Sequence, residues 1–307
     1  MHPWNQPILE SFRKRLERLP HALLIHGPRG VGKLALAERL AQLMLCESSD
    51  RERRPCDHCD ACRWFTAENH PDYRRIEPEI LWKEPPPDKD KPSRVIKIEQ
   101  VREGLVDFVN IKSHRAGLRV VVLHPADEMQ PVAISALLKN LEEPPPGAVF
   151  LLVSHRPALL PATIRSRCVA LPVPVPPRDA ALKWLAGEGA KGAERWLAYA
   201  GGAPLRALNY AAQGETLERL LASPAPTDDR DELEPLAEAL QKTALDKALL
   251  AFGLPARYQT GAKAPAGQAG RAWLSYARRL GRERLLAQHP LNPRLYSHAL
   301  LSARPKT

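Results

Sequence analysis

The sequence predicts an α/β fold: a parallel sheet of about five strands flanked by helices, followed by a helical C-terminal part. Three observations carry this. An apolar run, a glycine loop and an amphipathic stretch follow one another between His21 and Leu45, the opening of a βαβ unit. Continuous apolar runs recur at Val120–Leu123 and Val149–Val153, as in central strands buried on both faces. Beyond the prolines between Leu171 and Pro177 the pattern turns helical and rich in Ala and Leu.

Each element has its own signal. His21–His26 is a short apolar run ending in a glycine loop and reads as a strand. From Lys33 to Leu45, Leu36, Leu40, Leu43 and Met44 recur at helical spacing. Arg94–Ile98 reads as a second strand and Glu99–Asn110 as a helix. Between the two long apolar runs, Val132–Glu143 is helical and stops at Pro144-Pro145-Pro146. Pro85–Pro92 is polar and proline-rich, a mobile loop within the 83–93 segment. Leu171–Pro177 is a stiff, extended linker, because proline can neither continue a helix nor donate to a ladder; it closes a first domain at about residue 170. Gly201-Gly202 and Ser223–Pro226 break the helical part, and no internal repeat is found.

Size and charge narrow the class. At 307 residues the chain is too long for one ordinary core. No run of eighteen apolar residues exists and Met1–Pro7 lacks the pattern of a signal peptide, so a cytoplasmic protein with no membrane partner is expected. The net charge of +10 is carried from Gln241 onward, where twelve Lys/Arg face two acids. That basic block could meet nucleic acid, or it could be a solvated face, or it could pair with the acidic stretch Asp228–Glu234.

Gly27-Pro28-Arg29-Gly30-Val31-Gly32-Lys33 matches the phosphate-binding loop pattern G-x-x-x-x-G-K, with Gly27, Gly30, Gly32 and Lys33 in the positions that cradle phosphate. The next position needs a Ser or Thr hydroxyl to hold Mg²⁺, and it is Leu34. A P-loop ATPase also needs an acid directly after a strand such as Val120–Leu123, and that slot holds His124-Pro125. Asp127 and Glu128 come three residues later, displaced by up to about 10 Å at about 3.3 Å per extended residue. Two missing Mg²⁺ ligands argue against hydrolysis. A loop that brings Asp127 and Glu128 back, or a glycine turn with no ligand, are the alternatives.

Cys46, Cys56, Cys59 and Cys62 supply four of the five cysteines within one short segment. In a reducing compartment this spacing predicts a structural Zn²⁺ site, closed because four protein ligands leave no open position. His58 and His70 lie nearby; an iron–sulfur cluster or unmetallated cysteines are the other readings. Leu160–Cys168 is a basic turn at a domain edge, whose arginines could reach a neighbour's phosphate or form surface ion pairs.

A P-loop, a four-cysteine module after its helix, the stretch Ala136–Pro145 (ALLKNLEEPP) and Ser166-Arg167-Cys168 together resemble the bacterial DNA polymerase III clamp-loader subunits of the AAA+ class, densely from His21 to Cys168 and thinly after Arg206. Leu34, His124, Pro125 and His70-Pro71-Asp72-Tyr73 look like the delta-prime branch rather than the motor subunit gamma/tau. The resemblance implies a RecA-like AAA+ domain over 1–170 with a zinc module at 46–62, a small helical lid over 171–213 and an all-α collar over 214–307. It implies that Arg167, in its Ser166–Cys168 motif, is an arginine finger acting in trans on a neighbouring ATPase subunit. It places Arg206, in Gly201–Arg206, beside nucleotide with Lys33, so weak binding of ATP or phosphate without hydrolysis stays open. The implied partners are gamma/tau and delta subunits in a hetero-pentamer, with the sliding clamp and primed DNA met through the complex. An active DNA-dependent ATPase and a zinc nucleic-acid-binding module are the competing functions.

Overall fold

The computed structural model describes the chain except for residues 17–18, 85–91, 111–112, 115–116, 266–268, 285–290 and 306–307. It comprises two compact units, Met1–Val175 and Pro176–Thr307. The first runs α1 (Gln6–Arg13), β1 (Ala22–His26), α2 (Lys33–Leu45), α3 (Asp60–Thr66), β2 (Tyr73–Ile76), α4 (Ile98–Asn110), β3 (Arg119–Leu123), α5 (Pro131–Glu142), β4 (Ala148–Ser154), α6 (Ala162–Arg165) and β5 (Val169–Pro172). Its five strands form one sheet in the order β2-β3-β4-β1-β5, with every neighbouring pair parallel. All of β4 and β3 is buried, which is why both read as unbroken apolar runs rather than alternating ones. Phe150 in β4 is fully buried, and truncating it to Ala would cost about 3–5 kcal/mol.

Strand register brings the chemistry to one edge. His26 pairs with Ser154 and Leu123 with Leu152. The residues that leave the carboxyl ends of β1, β3 and β4, namely the Gly27–Gly32 loop, His124 and His155, therefore emerge side by side. This is the edge where parallel α/β sheets bind ligands.

Two expectations need correction. Arg94–Ile98 is not a strand: Ile96 makes a single bridge to Met129, exchanging bonds with Glu128 and Gln130 of 2.9 and 3.0 Å. The second strand is instead Tyr73–Ile76, an edge strand whose half-exposed residues Tyr73 and Arg75 and exposed Arg74 hide it from any search for an apolar run. Likewise the segment at Leu171 begins inside β5, the opposite edge strand, paired from Leu23↔Val169 to His26↔Pro172. Edge position is where a proline-rich strand is tolerated. Residues 85–91, nearly all of the proline-rich loop, lie outside the described residues.

The second unit is helical: α7 (Arg178–Gly187), α8 (Ala193–Tyr199), α9 (Pro204–Ala212), α10 (Gly214–Ala222), α11 (Leu233–Ala251), α12 (Gly270–Glu283) and α13 (Pro293–Ser302). Gly201 and Gly202, at φ +66° and +87°, end α8 in a conformation that side chains resist, and Pro204 opens α9 where its missing N–H costs nothing. Leu236, Leu240, Trp273, Tyr276, Leu280 and Leu300 form its core. Two arginines of the basic block do turn to the acidic stretch, Arg294 to Asp228 at 3.1 Å and Arg284 to Glu234 at 3.8 Å.

Candidate phosphate loop and metal centre

Backbone geometry makes the loop. Gly27, Gly30 and Gly32 all have positive φ, and a Cβ on Gly27 would lie 2.1 Å from the carbonyl oxygen of Val173. Gly32 leads directly into α2, so the loop delivers backbone N–H groups to a helix N-terminus, an arrangement that suits anions. Lys33 is buried, and its ammonium donates to the carbonyls of Gly27 (2.7 Å) and Pro28 (2.6 Å), folded back over the space that phosphate would share. Burial lowers its pKa to about 8, Asp127 opposing and Arg29 adding to the shift.

The Mg²⁺ positions are occupied otherwise. Leu34 offers only hydrocarbon. Asp127, its side chain fully buried, accepts from the His155 amide (2.7 Å), Ser154 Oγ (2.9 Å) and Arg156 Nε (3.1 Å). Burial raises the pKa of this carboxyl, but those donors outweigh it and hold the group charged. Glu128 is paired with Arg29 at 2.8 Å. Asp127 and Glu128 are thus engaged with the sheet edge and the loop itself.

Two imidazoles stand beside this loop. His124 follows β3 and His155 follows β4; their rings meet edge-to-face with centroids 5.4 Å apart. The Nδ1 atom of each is buried without a hydrogen-bond partner among the described residues. Burial, then Arg29, Lys33 and Arg75, lower His124 to about 4; burial, then Lys33, Arg29 and His124, lower His155 to about 2. Both are neutral at physiological pH.

The four cysteines converge. Cys46 caps the end of α2, Cys59 caps the start of α3, and the Sγ atoms of Cys46, Cys56, Cys59 and Cys62 all lie within 4.8 Å of one another. Tetrahedral Zn–S bonds of about 2.3 Å put sulfurs about 3.8 Å apart, and Cys46 and Cys59 are 3.9 Å apart. The amides of Cys56, Cys59 and Cys62 each point at a cysteine sulfur at 3.4 Å, as donors to thiolates should. The residues fit a tetrahedral metal ion. His58 and His70 are not in the cluster; His58 Nδ1 lies 2.6 Å from the Cys56 carbonyl instead.

Arg167 lies between α6 and β5. Its guanidinium donates to Thr163 O (2.8 Å) and pairs with Glu142 at 2.8 Å. Ser166 is exposed, while Cys168 packs on the core of the first unit, its thiol pushed up to about 11 by burial. In the second unit Arg206 pairs with Glu238 and bonds Tyr210, and Lys242 pairs with the same Glu238 at 2.9 Å. Arg206 must leave that network to meet a phosphate.

Sequence reasoning missed the N-terminal cover of the loop. Trp4 Nε1 donates to Val31 O at 3.0 Å, and Asn5 Nδ2 donates to Val31 O and Gly32 O at 3.2 Å. His155 and Ser154 were equally invisible: nothing local marks contacts made across a sheet. No helix among the described residues is long and apolar enough to cross a membrane.

A family model described as DNA polymerase III, delta subunit, matches residues 4–176. The chain is 40 % identical over 223 residues to DNA polymerase III subunit delta' of Pseudomonas aeruginosa, covering 71 % of this chain and 64 % of that protein. It is 33 % identical over 239 residues to the Escherichia coli subunit delta', covering 74 % and 67 %. Only about two thirds of those relatives' length is matched. DNA polymerase III subunit tau of Salmonella typhimurium is 36 % identical over 154 residues, half of this chain and 22 % of that one. The crystal structure of a DNA polymerase III gamma subunit-related protein from Thermotoga maritima superposes with a TM-score of 0.54 at 19 % identity, over 96 % of this chain and 97 % of that one, a likeness of fold.

Proposed function

Because the chain belongs to the family of DNA polymerase III delta-prime subunits, we propose that it is a non-hydrolysing, stator-like subunit of a clamp-loader complex. In this reading it joins gamma/tau and delta subunits in a hetero-pentamer that places the sliding clamp on primed DNA in the cytoplasm. The observation that carries the reading is a contrast within one unit. Leu34 and His124 leave no Mg²⁺ ligand at the loop, while Arg167 is kept at the sheet edge with its side chain partly exposed. An arginine beside a motor without its metal makes sense in trans, where its planar fork meets a neighbour's phosphate. Arg167 would then exchange Glu142 for that phosphate.

The remaining parts take supporting roles. Residues 1–170 act as the AAA+ domain, 171–213 as a helical lid and 214–307 as the oligomerising collar. Cys46, Cys56, Cys59 and Cys62 hold a structural Zn²⁺, which contributes folding energy and no chemistry. Gly27, Gly30, Gly32 and Lys33 form a vestigial site that binds nucleotide or phosphate weakly and turns nothing over.

The test is reconstitution. Mixed with gamma/tau and delta subunits, the chain should co-elute in one complex that loads clamps; failure to enter such a complex overturns the reading. A second reading, an ATPase of gamma/tau type, is favoured by the match to the tau relative. Phosphate release by the isolated chain, lost in Lys33→Ala, would select it.

A further inference from the structure

Two things a P-loop uses to hold Mg²⁺ are replaced here, by Leu34 and His124, and the replacement is not simply empty space. His124 stands where the carboxylate should follow β3. Register sets His155 abreast of Gly27, since His26 pairs with Ser154, and sets His124 abreast of Val153, since Leu123 pairs with Leu152. The two rings touch edge-to-face at 5.4 Å, and each carries a buried Nδ1 with no partner among the described residues. Buried polar atoms are nearly always satisfied, so two orphaned ring nitrogens side by side at a phosphate loop call for a ligand.

The charges around the pair say which kind. Arg29 and Lys33 act on both rings from the loop and α2, and Arg75 acts on His124 from β2. Asp127 and Glu128 in the turn after β3 pair with Arg156 and Arg29, and Arg75 pairs with Glu38 and Glu77, whereas Lys33 meets only carbonyl oxygens among its hydrogen-bond partners. Burial, and after it the positive charge of Lys33 and Arg29, keeps both imidazoles neutral while the loop holds no anion. A phosphate brings negative charge to that spot and favours the charged imidazole, opposing the effect of burial.

Resting on the reading of this loop as a retained anion site, we infer that it binds the phosphate group of a nucleotide or polyphosphate without Mg²⁺, with a proton taken up by the His124–His155 pair neutralising the charge the metal would otherwise meet. The proton comes from solvent and ends on a ring nitrogen, which can then donate to a phosphate oxygen. Lys33 turns from Gly27 O and Pro28 O to the same ligand.

The probe is inorganic sulfate, a tetrahedral dianion that does not itself titrate between pH 7 and 5. Over that range Lys33 is already charged, so its own titration does not enter. Sulfate is titrated into the full chain with no Mg²⁺ added, while the ring resonances of the histidines are followed. Affinity should rise toward acid by up to about tenfold per pH unit, the limit for one linked proton. The His124 or His155 signal should move to the imidazolium position as sulfate saturates, and added Mg²⁺ should not strengthen binding. Lys33→Ala should abolish binding. The double change His124→Gln, His155→Gln should leave weaker binding that no longer depends on pH. Binding that is flat from pH 7 to 5 in the unaltered chain, that needs Mg²⁺, or that leaves both ring signals unmoved overturns the proton role; so does the absence of any binding. None of these touches the subunit reading, which stands or falls on assembly with gamma/tau and delta.

Discussion

Arg167 and Glu142 are held together at 2.8 Å, joining the turn after α6 to the last residue of α5. Both side chains are partly exposed, so the pair contributes little to stability, about 0–1 kcal/mol. Arg167→Ala should therefore leave folding, metal content and assembly intact. In the reconstituted complex it should lower ATP hydrolysis several-fold. A finger contributes about 10³–10⁵ at one site, but only one of several sites would border this subunit. Arg167→Lys should be nearly as harmful, because an ammonium lacks the fork, whereas Glu142→Gln should not reduce the rate. Normal hydrolysis and clamp loading by the Arg167→Ala complex would leave Arg167 as half of a surface ion pair.

The isolated chain should release no phosphate from ATP above background. Leu34→Thr should not restore turnover, since His124 still denies the metal its carboxylate. A coupled phosphate assay on both proteins checks this.

Purified protein should contain one zinc per chain by elemental analysis. Cys59→Ser removes both a ligand and the sulfur that receives the Cys62 amide at 3.4 Å. It should lower Tm by roughly 5–10 °C, the size expected for a loss of about 2–4 kcal/mol in a unit of this length. Four freely titrating thiols in native, metal-free protein would dismiss the site.

Acid should destabilise the first unit through His124. Its folded pKa of about 4 lies below the ordinary 6.5, so between those values the unfolded chain binds more protons. Stability is then fully present above pH 6.5 and is lost as pH falls toward 4. Urea midpoints measured at pH 7 and pH 4.5 should differ less in His124→Gln than in the unaltered chain.

Glu238 in the second unit should be a weak point of a different kind. It answers Arg206, Lys242 and Arg284 at once, and it is nearly buried, as is Lys242. Burial works against its charge, but Lys242, Arg206 and Arg284 hold its pKa down to about 2. Glu238→Ala leaves buried cations unanswered and should cost about 3–5 kcal/mol in urea denaturation. Glu238→Gln should cost less, since an amide oxygen still accepts from Tyr210 and Lys242.

What was legible in the sequence followed from burial. Strands β1, β3 and β4 are covered on both faces, so their apolar runs mark them. The edge strand Tyr73–Ile76 faces solvent along much of its length and carries two arginines, which no periodicity separates from a loop. The cysteine spacing was legible because one short segment supplies the whole cluster. The loop's surroundings were not: Asn5 reaches Gly32 over 27 residues, and Asp127 reaches His155 over 28. Such pairings exist only once the sheet has set its register.

The glycines of the loop have a further bearing on how relics of ancient motors are traced. A Cβ at residue 27 would strike the backbone of Val173 at 2.1 Å, and one at residue 32 would strike His2 at 2.4 Å from a left-handed φ of +81°. The backbone of Val173 at residue 27 and the left-handed φ at residue 32 disfavour larger residues there, whether or not a ligand ever arrives. Selection for folding would preserve these glycines long after a lineage had stopped using nucleotide, so their survival is poor testimony of use. Lys33 is the better witness. The residue is 2 % exposed, and its ammonium leans on two loop carbonyls and has its pKa lowered to about 8. A methionine would fill that space without a charge to bury. Among descendants of P-loop proteins, the lysine and the glycines should therefore decay on separate clocks.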